Sequence, residues 1–343
     1  MFFRIRDRLH RIRFNFLCRN VLRTPPLRME DATLTFVSQV SHQDLLMYLI
    51  AIKSIYRFFN VGKIVVLNDG SLTSNDRLTL TRHIPFVRII AAEEIPPADT
   101  PKGGCWERLL LISDLVRDSY VIQVDSDSLT LDAVTEVFSS VVENCSFTLL
   151  GAGSYPAIEL MSDASIRAQV NNPHNMEPQG VGERALGRFP DSARLRYVRG
   201  NAAFAGFARS SFTKKDVEFF SKNMELLCGH NKWHEWGSEQ VTSNLIIANT
   251  ADARILQHPE YTSYYALPNV DYQQSRFIHF MGTHRFENGC YASLSRRVIR
   301  NLKSEEHDQS DLKPFKLSWG GNSSVGPIQG VKRQASTPER ELD

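Results

Sequence analysis

The chain has 343 residues, 42% of them apolar and 23% charged, a composition that suits one large packed domain or two small ones. Its net charge of +2 is unevenly placed: residues 1–30 hold eight arginines against Asp7 and Glu30, which leaves the remainder at −4 and excludes a nucleic-acid-binding body. The longest apolar run, residues 45–52, is too short to span a bilayer, and the five scattered cysteines (Cys18, Cys105, Cys145, Cys228 and Cys290) read as reduced intracellular thiols without disulfide or metal spacing.

Residues 1–30 form the first unit. Phe2, Ile5, Leu9, Ile12 and Phe16 recur at steps of three and four, with Arg4, Arg6, Arg8, Arg11 and Arg13 on the other faces. This predicts a basic amphipathic helix, stopped by Thr24-Pro25-Pro26, without the continuous apolar core of a signal peptide. Such a helix can lie on an anionic membrane surface through residues 1–22, or it can dock on its own domain. Periodicity does not choose between the two.

The second unit, residues 31–303, has an α/β rhythm. Strands are predicted at 34–37, 63–67, 87–91, 120–124, 147–150, 197–208 and 276–280, and helices at 45–59, 74–83, 106–116, 216–227 and 238–248. Short apolar strands alternating with helices imply a mainly parallel sheet flanked by helices, a Rossmann-like layout. Residues 151–195 are irregular and rich in Gly, Pro, Asn and Ser, with one short helix expected near 164–170. From 304 to 343 the chain turns polar without apolar periodicity, a composition expected to be disordered.

The most informative segment is Val121-Ile122-Gln123-Val124-Asp125-Ser126-Asp127-Ser128, where a β-branched run delivers two carboxylates to a strand end. In parallel α/β sheets, ligands gather outside the carboxyl ends of the strands, and Asp69, Asp125 and Asp127 all fall there. Paired carboxylates are hard oxygen ligands for Mg2+ or Mn2+, ions that also take phosphate oxygens from a substrate.

With these parts in order, the chain resembles a GT-A fold nucleotide-diphospho-sugar glycosyltransferase, over about residues 32–290. Asp125-Ser126-Asp127 resembles the Asp-x-Asp motif of that family. The resemblance implies that Asp127 ligates the metal directly and that Asp125 touches both the metal and the ribose. Ile278-His279-Phe280-Met281-Gly282-Thr283-His284-Arg285 is similar to the His-x-x-Gly-x-x-Lys motif of the glycogenin-like and lipopolysaccharide galactosyltransferase-like members. By that likeness His279 completes the metal site, while Gly282 and Arg285, the latter replacing lysine, meet the diphosphate. Glu239-Gln240, with Asn244 following, resembles the acidic-Gln pair that faces the reacting sugar and acceptor. Asp69 in Asn68-Asp69-Gly70-Ser71 matches a base-binding turn, Lys102 and Arg108 match basic donor contacts, and Asn201 lies in a segment similar to the strand lining the donor sugar.

The resemblance therefore implies a hexosyltransferase that uses Mn2+ or Mg2+ and a uridine-based nucleotide-sugar donor. Its acceptor would be a glycan or a lipid-linked glycan, with residues 151–195 setting acceptor choice and no nucleic-acid partner. With the N-terminal helix on a membrane, the enzyme would be cytoplasmic and peripheral to the inner face. The histidine motif leans toward retention of anomeric configuration and the Asn-Asp-Gly-Ser turn toward inversion, so stereochemistry stays open. A non-catalytic membrane-peripheral module with a relic sugar-nucleotide site is the main alternative. A haloacid-dehalogenase-like phosphatase shares Asp-x-Asp, but that motif wants Thr or Val where Leu129 stands.

Overall fold

In the computed structural model, which describes residues 2–29 and 33–304, strands and helices alternate much as the sequence pattern implies. The polar tail lies outside the described residues from 305 onward. Helix α1 (Phe2–Cys18) is docked on the domain, but not through the stripe that stands out in the sequence. Phe14, Cys18 and, just beyond, Val21 are buried, whereas Leu9, Ile12 and Phe16 are 59%, 57% and 63% exposed. The reason is a second stripe: Phe14, Leu17, Cys18 and Val21 also keep helical spacing. Phe14 stacks on Tyr291 with ring centroids 4.4 Å apart, and Arg11 pairs with Asp44 at 2.5 Å. Further along, Lys53 Nζ donates to Thr24 Oγ1 at 2.9 Å and to the Pro25 carbonyl, which ties this segment to the domain.

Strand β1 (Leu34–Val40) leads through helix α2 (Leu45–Phe59) to β2 (Lys63–Asn68), and α3 (Ser74–His83) leads to β3 (Arg88–Ala91). Asn60, in the left-handed region at φ 56°, ends α2, while a Thr73–Asp76 capping box starts α3. Helix α4 (Trp106–Leu115) then precedes β4 (Tyr120–Val124), which pairs parallel with β1. After it come β5 (Ser128–Thr130), α5 (Thr135–Val142), β6 (Phe147–Leu150) and the short β7 (Glu159–Leu160).

In the stretch expected to be irregular, the short helix expected near 164–170 is the longer α6 (Met161–Asn171), and a second helix, α7 (Pro178–Ala185), was not expected. Gly180 and Gly182 weaken the local signal for α7, but Pro178 sits at its start and tertiary packing holds it. The predicted strand at 197–208 divides into β8 (Arg196–Tyr197) and β9 (Gly200–Phe207). Helices α8 (Lys214–Cys228), α9 (His230–Trp233) and α10 (Ser238–Ala248) follow, then β10 (Arg254–Leu256), β11 (Tyr261–Ser263), β12 (Phe277–His279) and α11 (Cys290–Ser304).

The main sheet has seven strands in the order β10-β6-β9-β4-β1-β2-β3, all parallel except β9, which runs antiparallel to both neighbours. Alternate side chains feed two cores: Phe36, Ile64 and Ile122 meet α2 and α11 on one face, while Val37, Val65 and Val121 meet α4, α8 and α10 on the other. Where β9 passes β6, a Cβ on Gly206 would strike the Phe147 ring and lie 2.6 Å from Tyr120 Oη. Gly206→Ala is expected to destabilise the fold by roughly 1–3 kcal/mol through overpacking, read as a lower urea midpoint at unchanged slope.

Candidate active site

The site is built where β4 ends. Asp125 N donates to the Ala203 carbonyl on β9 at 2.8 Å, and Ser128 Oγ returns to the Asp125 carbonyl at 2.8 Å, closing a tight turn into β5. Strand β12 pairs antiparallel with β5, opposing His279 to Ser128, and Phe280 N donates to the Asp127 carbonyl at 2.8 Å. This small ladder brings together residues some 150 positions apart in the chain. Ligand atoms of Asp125, Asp127 and His279 all lie within 4.8 Å of one another.

Two guanidinium groups neutralise the carboxylates. Arg285 Nη2 sits 2.5 Å from Asp127 Oδ2, and His279 Nε2 is 3.4 Å from Asp127 Oδ1. Burial works to raise the Asp127 pKa, but Arg285 and then His279 hold it well below the usual carboxylate range. Arg108, almost fully buried on α4, pairs with Asp125 and reaches Glu239 Oε1 at 3.2 Å. Burial pushes the Glu239 carboxyl up to about 7, Arg108 opposing and Asp125 adding to the rise. Because the folded value exceeds the unfolded one, Glu239 contributes stability at pH below about 4.5 that is lost as pH rises through about 7. Thermal midpoints of the native chain and of Glu239→Gln, scanned from pH 4.5 to 8, should therefore show a downward slope in the native chain that flattens in the variant.

The other residues named from sequence have mixed placements. Asn201 Nδ2 lies 3.0 Å from His279 Nδ1 and 3.2 Å from Ser263 Oγ, so it orients the imidazole. Coordination through Nε2 requires the proton on Nδ1, and the Asn201 amide would then have to present its oxygen. Gln240 Oε1 accepts from Ala202 N at 3.0 Å, fixing the first turn of α10 against β9. Gly282 has φ 48° and opens the turn that carries Arg285 back to Asp127. Asp69 is exposed and its Oδ1 accepts from Ser71 N and Oγ at 3.0 and 2.6 Å, an ordinary Asx turn at the end of β2. Lys102 is exposed on the loop before α4, with no hydrogen bond or ion pair among the described residues.

Gln179 was not legible as a site residue. It accepts from Gln240 Nε2 at 3.0 Å, and one turn later on α7 buried Glu183 pairs with Arg199 and accepts from Tyr197 Oη at 2.9 Å. The i,i+4 spacing of Gln179 and Glu183 was the available signal, masked by the glycines between them.

No family model matches the sequence, and no curated protein sequence matches it. Among solved structures, the chain is similar to the bifunctional glycosyltransferase WbbM in its apo form, at 14% identity and TM-score 0.45, covering 80% of this chain and 50% of that one. It is similar to the galactosyltransferase LgtC in complex with donor and acceptor sugar analogues, at 11% identity and TM-score 0.42, covering 79% and 95%. It is also similar to the glycosyltransferase GlyE of Streptococcus pneumoniae TIGR4, at 12% identity and TM-score 0.44, covering 84% and 65%. The chain thus spans half the length of WbbM.

Proposed function

We propose that the chain is a metal-dependent GT-A glycosyltransferase that moves a hexose from a uridine-based nucleotide diphosphate sugar to a glycan or lipid-linked acceptor. The observation that carries this reading is the convergence of Asp125, Asp127 and His279 beside Arg285. Two carboxylates and one imidazole fit Mn2+ well and Mg2+ less well, because imidazole is the softer donor. Bound there, such an ion would offset the charge that develops on the departing diphosphate.

The protein groups supply the rest. Arg285 now neutralises Asp127, so it can turn its planar fork to a phosphate only as that carboxylate takes another cation. Arg108 holds Asp125 in place from the buried side. Glu239 and Gln240, at the first turn of α10, face the sugar and acceptor, where the helix N-terminus favours hydroxyl and anionic contacts. Gln179 adds a second amide to that wall.

A panel of nucleotide sugars, each assayed for Mn2+-dependent nucleotide release, tests the reading. One donor should be hydrolysed slowly without acceptor, and chelation should abolish release. No release from any donor would favour the relic, non-catalytic alternative.

The outer face of α1 supports a cytoplasmic enzyme peripheral to the inner face of a membrane. Leu9, Ile12 and Phe16 point outward beside exposed Arg8, Arg13 and Arg19, a pairing suited to anionic lipid. Deleting the helix would strip Phe14 and Cys18 from the core, so substitution is the cleaner test. Ile12→Glu/Phe16→Glu should lower flotation with anionic vesicles at least about tenfold, given roughly 1.5–3 kcal/mol per fully buried apolar side chain. Unchanged flotation would remove the membrane assignment.

A further inference from the structure

A second cluster of ligating side chains lies on the outer surface, where α8 gives way to α9. Glu225 stands in the last turn of α8. Gly229, at φ 85°, turns the chain, and α9 then presents His230 with His234 four residues later. His230 Nδ1 is 2.6 Å from Glu225 Oε1 and His234 Nε2 is 3.4 Å from the same oxygen. The two imidazole rings lie 3.8 Å apart between centroids, and the three ligand atoms fall within 4.8 Å of one another.

The turn is held from behind. Trp233 is fully buried, donates from Nε1 to Ser221 Oγ at 3.0 Å and packs edge-on against Trp106. The neighbouring cation, Lys232, is turned aside to Glu235 at 2.7 Å and to the Met176 carbonyl at 2.9 Å. The two imidazoles therefore project from a fixed base toward one carboxylate, with no ammonium group among the described residues drawn into the cluster.

We propose that Glu225, His230 and His234 form a binding site for a first-row transition ion, Zn2+ foremost, separate from the Asp125–Asp127–His279 centre. Two imidazoles and one carboxylate make a borderline-soft donor set, which suits Zn2+ over Mg2+ or Mn2+. Paired histidines at i,i+4 lie on one helical face, the spacing that lets both reach one ion. Metal–ligand bonds of about 2.0–2.2 Å set tetrahedral donors about 3.3 Å apart. The Glu225–His234 pair already has that spacing, and His230 needs to open by only about 0.7 Å. The fourth position faces solvent. The ion clips the end of α8 to the segment that runs directly into Ser238, Glu239 and Gln240. The site stands independently of the transferase reading.

The test is calorimetric titration of the full chain with Zn2+ in excess Mn2+, the ion that suits the Asp125–Asp127–His279 centre. The native chain should take up one more equivalent than His230→Ala/His234→Ala, with a dissociation constant on the order of 1 μM or tighter. Glu225→Gln, which keeps the hydrogen-bonding shape, should weaken that equivalent roughly tenfold or more. Near-UV circular dichroism of the Trp233 environment should be unchanged across the variants. Equal stoichiometry and affinity in the native chain and the double histidine variant would overturn the site and leave the trio as a hydrogen-bonded helix terminus.

Discussion

Asp127→Asn is expected to lower nucleotide release by roughly 10²–10⁴-fold, the equivalent of about 3–5 kcal/mol of stabilisation at the departing diphosphate. The carboxylate is 7% exposed and answers to both Arg285 and His279, so an amide in its place loses the charge that holds all three. A modest loss of stability should accompany the loss of turnover, because Arg285 is left facing a neutral group. Thermal melting and near-UV circular dichroism separate the two effects: the variant should keep a cooperative transition while losing nucleotide release. Full turnover in a folded Asp127→Asn protein would defeat the proposed reaction.

Arg108→Met should cost the fold more than any surface change. The side chain is 4% exposed and its guanidinium bridges Asp125 to Glu239, so removal strands two acidic groups with no counter-ion between them. Breaking a buried pair in this way costs about 3–5 kcal/mol, a fall in melting temperature on the order of 10 °C for a domain of this size. Arg108→Lys should fall between, since one ammonium cannot grip two carboxylates in the fork geometry. Adding Glu239→Gln to Arg108→Met should recover part of the loss, because the second stranded charge is gone. A melting temperature for Arg108→Met equal to that of the native chain would show that the bridge contributes nothing to stability.

Most of the strand and helix framework could be read from the chain, since long apolar runs such as 45–59 and 120–124 carry their period openly. The assembly of the acidic pair with His279 depended on less visible parts. Strand β12 was expected at 276–280, but β5 has only three residues, too few for a period of two to register, and the ladder between the two is what seats the imidazole. The antiparallel placement of β9 is likewise a tertiary choice that no local pattern encodes. On α1 the local pattern was present twice, and Leu9, Ile12 and Phe16 of the more conspicuous stripe are exposed. Arg285 was readable as a phosphate partner, but its present engagement with Asp127 needed a spatial contact across 158 residues.

The placement of β12 also bears on when competence arises during synthesis. Every strand of the seven-stranded sheet has emerged once β10 ends at Leu256, whereas the imidazole arrives only with His279. Domains tend to form progressively from the amino end as they leave the ribosome. A nascent chain could thus own its scaffold while still lacking the third ligand, so gain of chemistry would come as a late, discrete event near the carboxyl side of the domain.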